Sequence, residues 1–337
     1  MKQSFISLLI FLSATILLNN VHAQSGYKIT KTFHISSSGG WDYTASDPGS
    51  NNLYLSHGTH VNILDRTTGD SVGIIPNTTG VHGIAFVNAL GKGYTSNGKI
   101  NTVTVFDLKT FKILGQIETG KNPDWIMYDN FSKKVVTSNH TGGDISIIDP
   151  TTDKVVNTIN IGGKLETSVS DNAGKLFINV EDKSEIAVVD LAKNEVVARW
   201  PFAPSEGGTG LSIDTKTKRL FVACEKALVV LDATNGKIVA TLPTGADCDG
   251  DVFDAGTNLI FAACGDGTLT VIKEISGDEF KVIENVVTKH GAKTIAIDPK
   301  SHNIFLPTAE YEPMAEGVKG RPKMIGGTFQ VLVLEKK

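Results

Sequence analysis

Three cysteines, three tryptophans and four methionines are all that 337 residues contain. There is no C-x-x-C-H, which excludes covalent haem attachment, and no G-x-S-x-G to mark a serine hydrolase. Runs of lysine and arginine are missing too, and the formal charge is -4. That balance argues against nucleic acid and against anionic membrane surfaces as partners. Long apolar stretches are equally scarce. The one candidate, Phe5 to Leu18, is shorter than the roughly 20 residues a spanning helix needs. Lys2 precedes it and Val21-His22-Ala23 follows it, so residues 1–23 read as a secretory signal peptide cleaved after Ala23. Its removal takes away one lysine and no acid, which changes the charge from -4 to -5. The expectation is an exported protein, periplasmic or secreted, with no membrane span in the mature chain 24–337.

What is abundant is repetition. Ile63-Leu64-Asp65, Val105-Phe106-Asp107, Ile147-Ile148-Asp149, Val188-Val189-Asp190 and Val230-Leu231-Asp232 place their aspartates 42, 42, 41 and 42 residues apart. A period near forty signals a repeat architecture. Each unit holds four short runs rich in Val, Ile, Phe and Tyr between Gly, Asn, Asp and Thr, the pattern of four antiparallel strands. The units run 41–80, 81–120, 121–163, 164–208, 209–247, 248–291 and 292–337, which predicts an all-β, seven-bladed propeller. The last unit carries an insertion, 309–327, and ends without an outer strand. Tyr27 to Ser36 alternates Ile29, Lys31, Phe33 and Ile35 and is expected to supply that strand, with 27–40 closing the ring and hiding its edges.

Leu53-Tyr54-Leu55-Ser56, Gly93-Tyr94-Thr95-Ser96-Asn97 and Val135-Val136-Thr137-Ser138-Asn139 are each followed by a strand ending in Asp and a Thr/Gly/Lys turn. These phrases resemble the YVTN-type propeller repeat, and residues 27–337 are similar to exported seven-bladed proteins of the YncE-like family. The resemblance implies the fold and a bacterial periplasm or exterior. Related-looking propellers include lactonases, a lyase acting on cyclic antibiotics, and domains that only bind, so it implies no single activity.

The repeated aspartates need no chemistry to explain them. Each opens a tight turn in which its carboxylate accepts backbone N–H bonds two residues on. Trp125 and Trp200 are expected to pack between blades. Three cysteines is an odd number for an exported chain. Cys224 and Cys264 end the second strands of neighbouring units and Cys248 lies between them, so either pairs with Cys248 or all three are small buried fillers.

Chemistry is expected where the innermost strands begin. Stepping back four residues from Ser46, Phe86, Tyr128, Ser170, Ile213, Phe253 and Ile297 gives Asp42, His82, Asp124, Glu166, Thr209, Asp249 and Lys293. The second strands end on the same face, at His57, Asn97, Asn139, Val180, Cys224, Cys264 and Thr308, with His140 and Glu181 one position on. Together these predict a polar funnel with the insertion over its rim. Carboxylates and an imidazole converging on an axis could hold a divalent cation, Ca, Mg, Mn or Zn, through Asp124, Glu166, Asp249 and His82, with Lys293 facing an anionic substrate. Solvated polar residues around a water-filled channel would look similar. His57-Gly58-Thr59-His60 offers two further imidazoles, and no other cofactor motif is evident. The leading expectation is an exported binding or scaffold propeller that recognises a small molecule or an exported protein partner at the funnel face. The alternative is a divalent-metal-dependent hydrolase or lyase of the lactonase or streptogramin-lyase kind.

Overall fold

The structure is a computed structural model that describes residues 25–37, 39–313 and 322–337. The proposed signal peptide lies outside the described residues.

Seven four-stranded antiparallel sheets follow one another along the chain. The innermost strands are Trp41–Ser46, Val81–Val87, Pro123–Asp129, Leu165–Ser170, Gly210–Asp214, Cys248–Asp254 and Ala296–Ile297, numbered here as blades 1 to 7. In blades 1 to 6 the strands run outward in chain order. The two middle strands of a blade are covered on both faces by neighbouring blades, so they read as near-continuous apolar runs. Arg219–Cys224 and Ala227–Asp232 bury every residue except those at one or both ends. Outer strands face solvent on one side and alternate instead, as Lys154–Asn160 does.

Blade 7 is built from both ends of the chain. Tyr27–His34 pairs antiparallel with Gln330–Lys336, from Tyr27 opposite Lys336 to His34 opposite Gln330. Phe33 of this strand and Ile35 just after it join Leu53 and Leu55 of blade 1 and Phe305 and Val331 of blade 7 in one buried cluster. The other six clusters each bridge two adjacent blades, for example Val136 and Ile147 with Leu176 and Ile178 between blades 3 and 4. The core is therefore seven radial apolar layers, and the clasp completes the seventh.

The repeated turns are scaffold. Asp65 accepts from the backbone N–H of Thr67 and Thr68 at 2.8 and 2.9 Å, and Asp149 from that of Thr151 at 2.8 Å. Asp107, Asp190 and Asp232 do the same. Gly69 ends the first of these turns at φ +81°, and a Cβ there would lie 2.2 Å from Cδ1 of Phe33, so the clasp aromatic packs directly on bare backbone. Gly236, at φ +75°, stands in the same relation to Trp200, where a Cβ would come within 2.1 Å of the indole. Trp200 is thus packed between blades, against Phe177 on its own blade at 5.7 Å. Trp125 is not, and its place is described below. All three cysteines are free and buried, with Cys248 directly opposite Cys264 across two strands of blade 6.

Candidate functional site

In five blades the ladder between the first and second strands breaks at the same place. The breaks fall between Trp41 and Thr44, Val81 and Ile84, Pro123 and Ile126, Leu165 and Ser168, and Cys248 and Gly250. Asp42, His82, Asp124, Glu166 and Asp249 sit inside these breaks. A residue released from the ladder is re-aimed, and here the release lets these side chains meet. Hydroxyls of the preceding blade hold the backbone in place: Thr294 Oγ1 donates to the Asp42 carbonyl at 2.7 Å, and Ser96 Oγ to the Asp124 carbonyl.

The contacts are close. His82 Nδ1 lies 2.5 Å from Asp42 Oδ2 and 3.6 Å from Asp124 Oδ2. His140 Nδ1 lies 3.0 Å from Glu166 Oε1, and Lys293 Nζ lies 2.9 Å from Asp249 Oδ2. Asp124 is only 8 % exposed, and its Oδ1 has no hydrogen-bond partner among the described residues. Donor atoms of Asp42, His82 and Asp124 fall within 4.8 Å of one another, as do those of Asp124, His140 and Glu166. Asp249, expected as a fourth ligand, belongs to neither group and faces Lys293 instead.

Electrostatics follow from this crowding. Burial draws the His82 pKa down, but the hydrogen bond to Asp42 and the charge of Asp124 outweigh it and push it up to about 9. His140 is raised by its hydrogen bond to Glu166. Burial raises the carboxyls of Asp124, Glu166 and Asp249 above the usual carboxylate range, against the opposing pull of His82, His140 and Lys293 respectively.

The second-strand positions are arranged differently. His57, Asn97 and Asn139 are fully buried and do not line the open mouth. Asn97 Nδ2 donates to Thr102 and Thr104 Oγ1 at 3.2 and 2.8 Å, and Asn139 Nδ2 to Asp144 Oδ1 and Ser146 Oγ at 2.5 and 2.9 Å. They tie the second strand to the third within one blade. His57 Nδ1 lies 2.9 Å from both Asn62 Oδ1 and Ser37 Oγ, and Nε2 lies 3.2 Å from the Gly39 carbonyl, so this ring is held by its own surroundings rather than paired with His60 on a shared ion. Glu181 is half-buried and close enough to Glu166 to raise its pKa.

Two features escape the sequence pattern. Trp125 does not pack between blades. It meets Tyr43 of blade 1 edge-on across the channel, and its Nε1 has no partner among the described residues. The second feature is a cavity of about 570 Å³ beside the ring, lined by Trp41, Asp42, Asp247, His290, Lys293 and Tyr311 among others. Tyr311 and Met324 of the 309–327 segment form its outer wall through an isolated bridge. Tyr311 stands 6.3 Å from Trp41 and 5.0 Å from His290, ring centre to ring centre.

No protein-family model and no curated protein matches this chain. Among solved structures, a chain of Kuenenia stuttgartiensis hydrazine synthase superimposes with a TM-score of 0.71 at 15 % identity, covering 81 % of this chain and 94 % of that one. At that identity the likeness shows the propeller fold alone. With 1743 solved chains matching, the fold does not choose among functions.

Proposed function

We propose that this protein is a binding propeller whose funnel face captures a small organic molecule carrying both signs of charge and a planar group. The observation that supports this is the cavity beside the ring. Its volume of about 570 Å³ suits a small ligand. Trp41 and Tyr311 offer flat apolar faces, and the cavity is also lined by Asp247 and by Lys293, whose ammonium lies between Asp249 at 2.9 Å and Asp247 at 3.9 Å. A zwitterion sets its ammonium beside these carboxylates and its carboxylate beside Lys293, and leaves the net charge of the site unchanged. Calorimetry with phenylalanine, phenethylamine and phenylpropionate tests it, because the three share a ring and differ in charge. Phenylalanine is expected to bind best, and equal or absent binding of all three would contradict the reading.

A second reading, a divalent-metal-dependent hydrolase or lyase, draws on the His and carboxylate groups around Asp124. It is tested by screening lactone and lyase substrates with and without chelator. Turnover indifferent to chelation, or no turnover at all, contradicts it.

A further inference from the structure

Asp42, His82, Asp124 and Glu166 in the innermost strands of blades 1 to 4, with His140 after the second strand of blade 3, make two ligand sets rather than one. Asp42, His82 and Asp124 converge on one point, and Asp124, His140 and Glu166 on another, with the donor atoms of each set mutually within 4.8 Å. Ligands around 2.0–2.2 Å from a common ion lie at most about 4.4 Å apart, so each triad closes on an ion with small side-chain rotations, in which the 2.5 Å contact between His82 Nδ1 and Asp42 Oδ2 opens to admit it. Only Asp124 belongs to both. A carboxylate has two oxygens and can serve two cations, and Asp124 has the means: Oδ2 faces His82 at 3.6 Å, while Oδ1 is buried with no hydrogen-bond partner among the described residues. A buried carboxylate oxygen left unpaired is costly, and a bound cation removes that cost.

The ligands stand on hydrogen-bonded strands and their ends. Asp42, His82, Asp124 and Glu166 project from register breaks at equivalent points of four consecutive blades. His140 follows the second strand of blade 3, where its backbone N–H donates to the Asn122 carbonyl at 2.8 Å and its carbonyl accepts from the Leu165 N–H at 3.2 Å. Mixed imidazole and carboxylate donors suit divalent transition metals better than calcium or magnesium, which prefer all-oxygen shells.

We propose that the funnel mouth holds a pair of divalent transition-metal ions bridged by Asp124, one completed by Asp42 and His82 and the other by His140 and Glu166. Its failure and that of the zwitterion reading are separable, because one is read as bound metal and the other as bound organic ligand.

The test is equilibrium dialysis of the full chain against Zn²⁺ or Mn²⁺ alone, after chelator treatment and without affinity histidines, read by elemental analysis. Two ions per chain are expected in the wild type. His82→Gln should retain one, His140→Gln should retain one, and Asp124→Asn should bind neither with comparable affinity. Asp249→Asn, a funnel carboxylate outside both triads, should keep two. Thermal unfolding of each metal-free variant identifies any that fails to fold, and for these the wild-type stoichiometry and the metal-induced rise in its unfolding temperature decide the matter. One ion per chain, no ion, or equal loss in Asp249→Asn and Asp124→Asn overturns the proposal.

Discussion

Tyr43 and Trp125, on blades 1 and 3, meet across the channel with ring centroids 5.0 Å apart and planes at 75°. Blade 2 stands between these blades in the ring, so the pair crosses the space that the innermost strands enclose. Burial raises the Tyr43 phenol well above its ordinary pKa, and the charges of Asp124, Glu166, Asp42 and Asp249 raise it further. Replacing Tyr43 with Ala should uncover Trp125 and shift tryptophan emission to longer wavelength, and the shift should vanish in a Trp125→Phe background. Unchanged emission would mean the two rings do not meet in solution.

The clasp should carry much of the ring's cooperativity. Phe33 is 5 % exposed and packs on Gly69, so Phe33→Ala is expected to cost about 3–5 kcal/mol in denaturant unfolding. Deleting 27–36 should go further, exposing the edge of Gln330–Lys336 and producing aggregation or a broadened transition. A truncated protein that stays monomeric and equally stable would contradict this closure.

How legible the molecule was depends on whether neighbouring blades repeat the same chemistry. Asp65, Asp107, Asp149, Asp190 and Asp232 make the same turn bonds, so their spacing exposed the repeat, and the count of strands then required Tyr27–His34 as the missing edge. The ring positions were legible because each stands four residues before the residue pair that closes its innermost strand, an offset the sequence repeats in every unit. Tyr43 and Trp125 were not, because regular alternation puts residues next to Asp42 and Asp124 on the opposite face, and the register break suspends alternation. The burial of Asn97 and Asn139 was hidden too. It depends on hairpin partners such as Thr104 and Ser146, which a list of strand ends does not reveal. The cavity needed Tyr311 and Trp41, far apart in sequence, to come together.

Asp251 should make stability fall as pH rises. Burial pushes its carboxyl up to about 7, with the hydrogen bond from Ser212 partly opposing the shift. The unfolded value is near 3.9, so between about 4 and 7 the folded state holds a proton that the unfolded state has lost. This contribution is fully present below about pH 4 and gone above about 7. Asp251→Asn should therefore gain stability over the wild type at pH 8 and little at pH 4, as measured by urea unfolding. A difference that does not change with pH would refute the assignment.

The three cysteines should behave as buried thiols. None should react promptly with a thiol reagent in the native protein, and all three should react in denaturant, since each is free and enclosed. Burial pushes the Cys224 thiol up to about 12, which slows it further. A denatured protein with only one reactive thiol would show instead that two had joined.

The most direct test of the central claim is saturation-transfer NMR on a mixture of small zwitterions, amines and carboxylates. The wild type is compared with Trp41→Ala and with Lys293→Ala. Wild-type protein should give signals from zwitterions that bear a ring, and both variants should lose them while unfolding as cooperatively as the parent. Signals that persist in both variants, or none from any zwitterion with wild type, would contradict a ligand site at the funnel cavity.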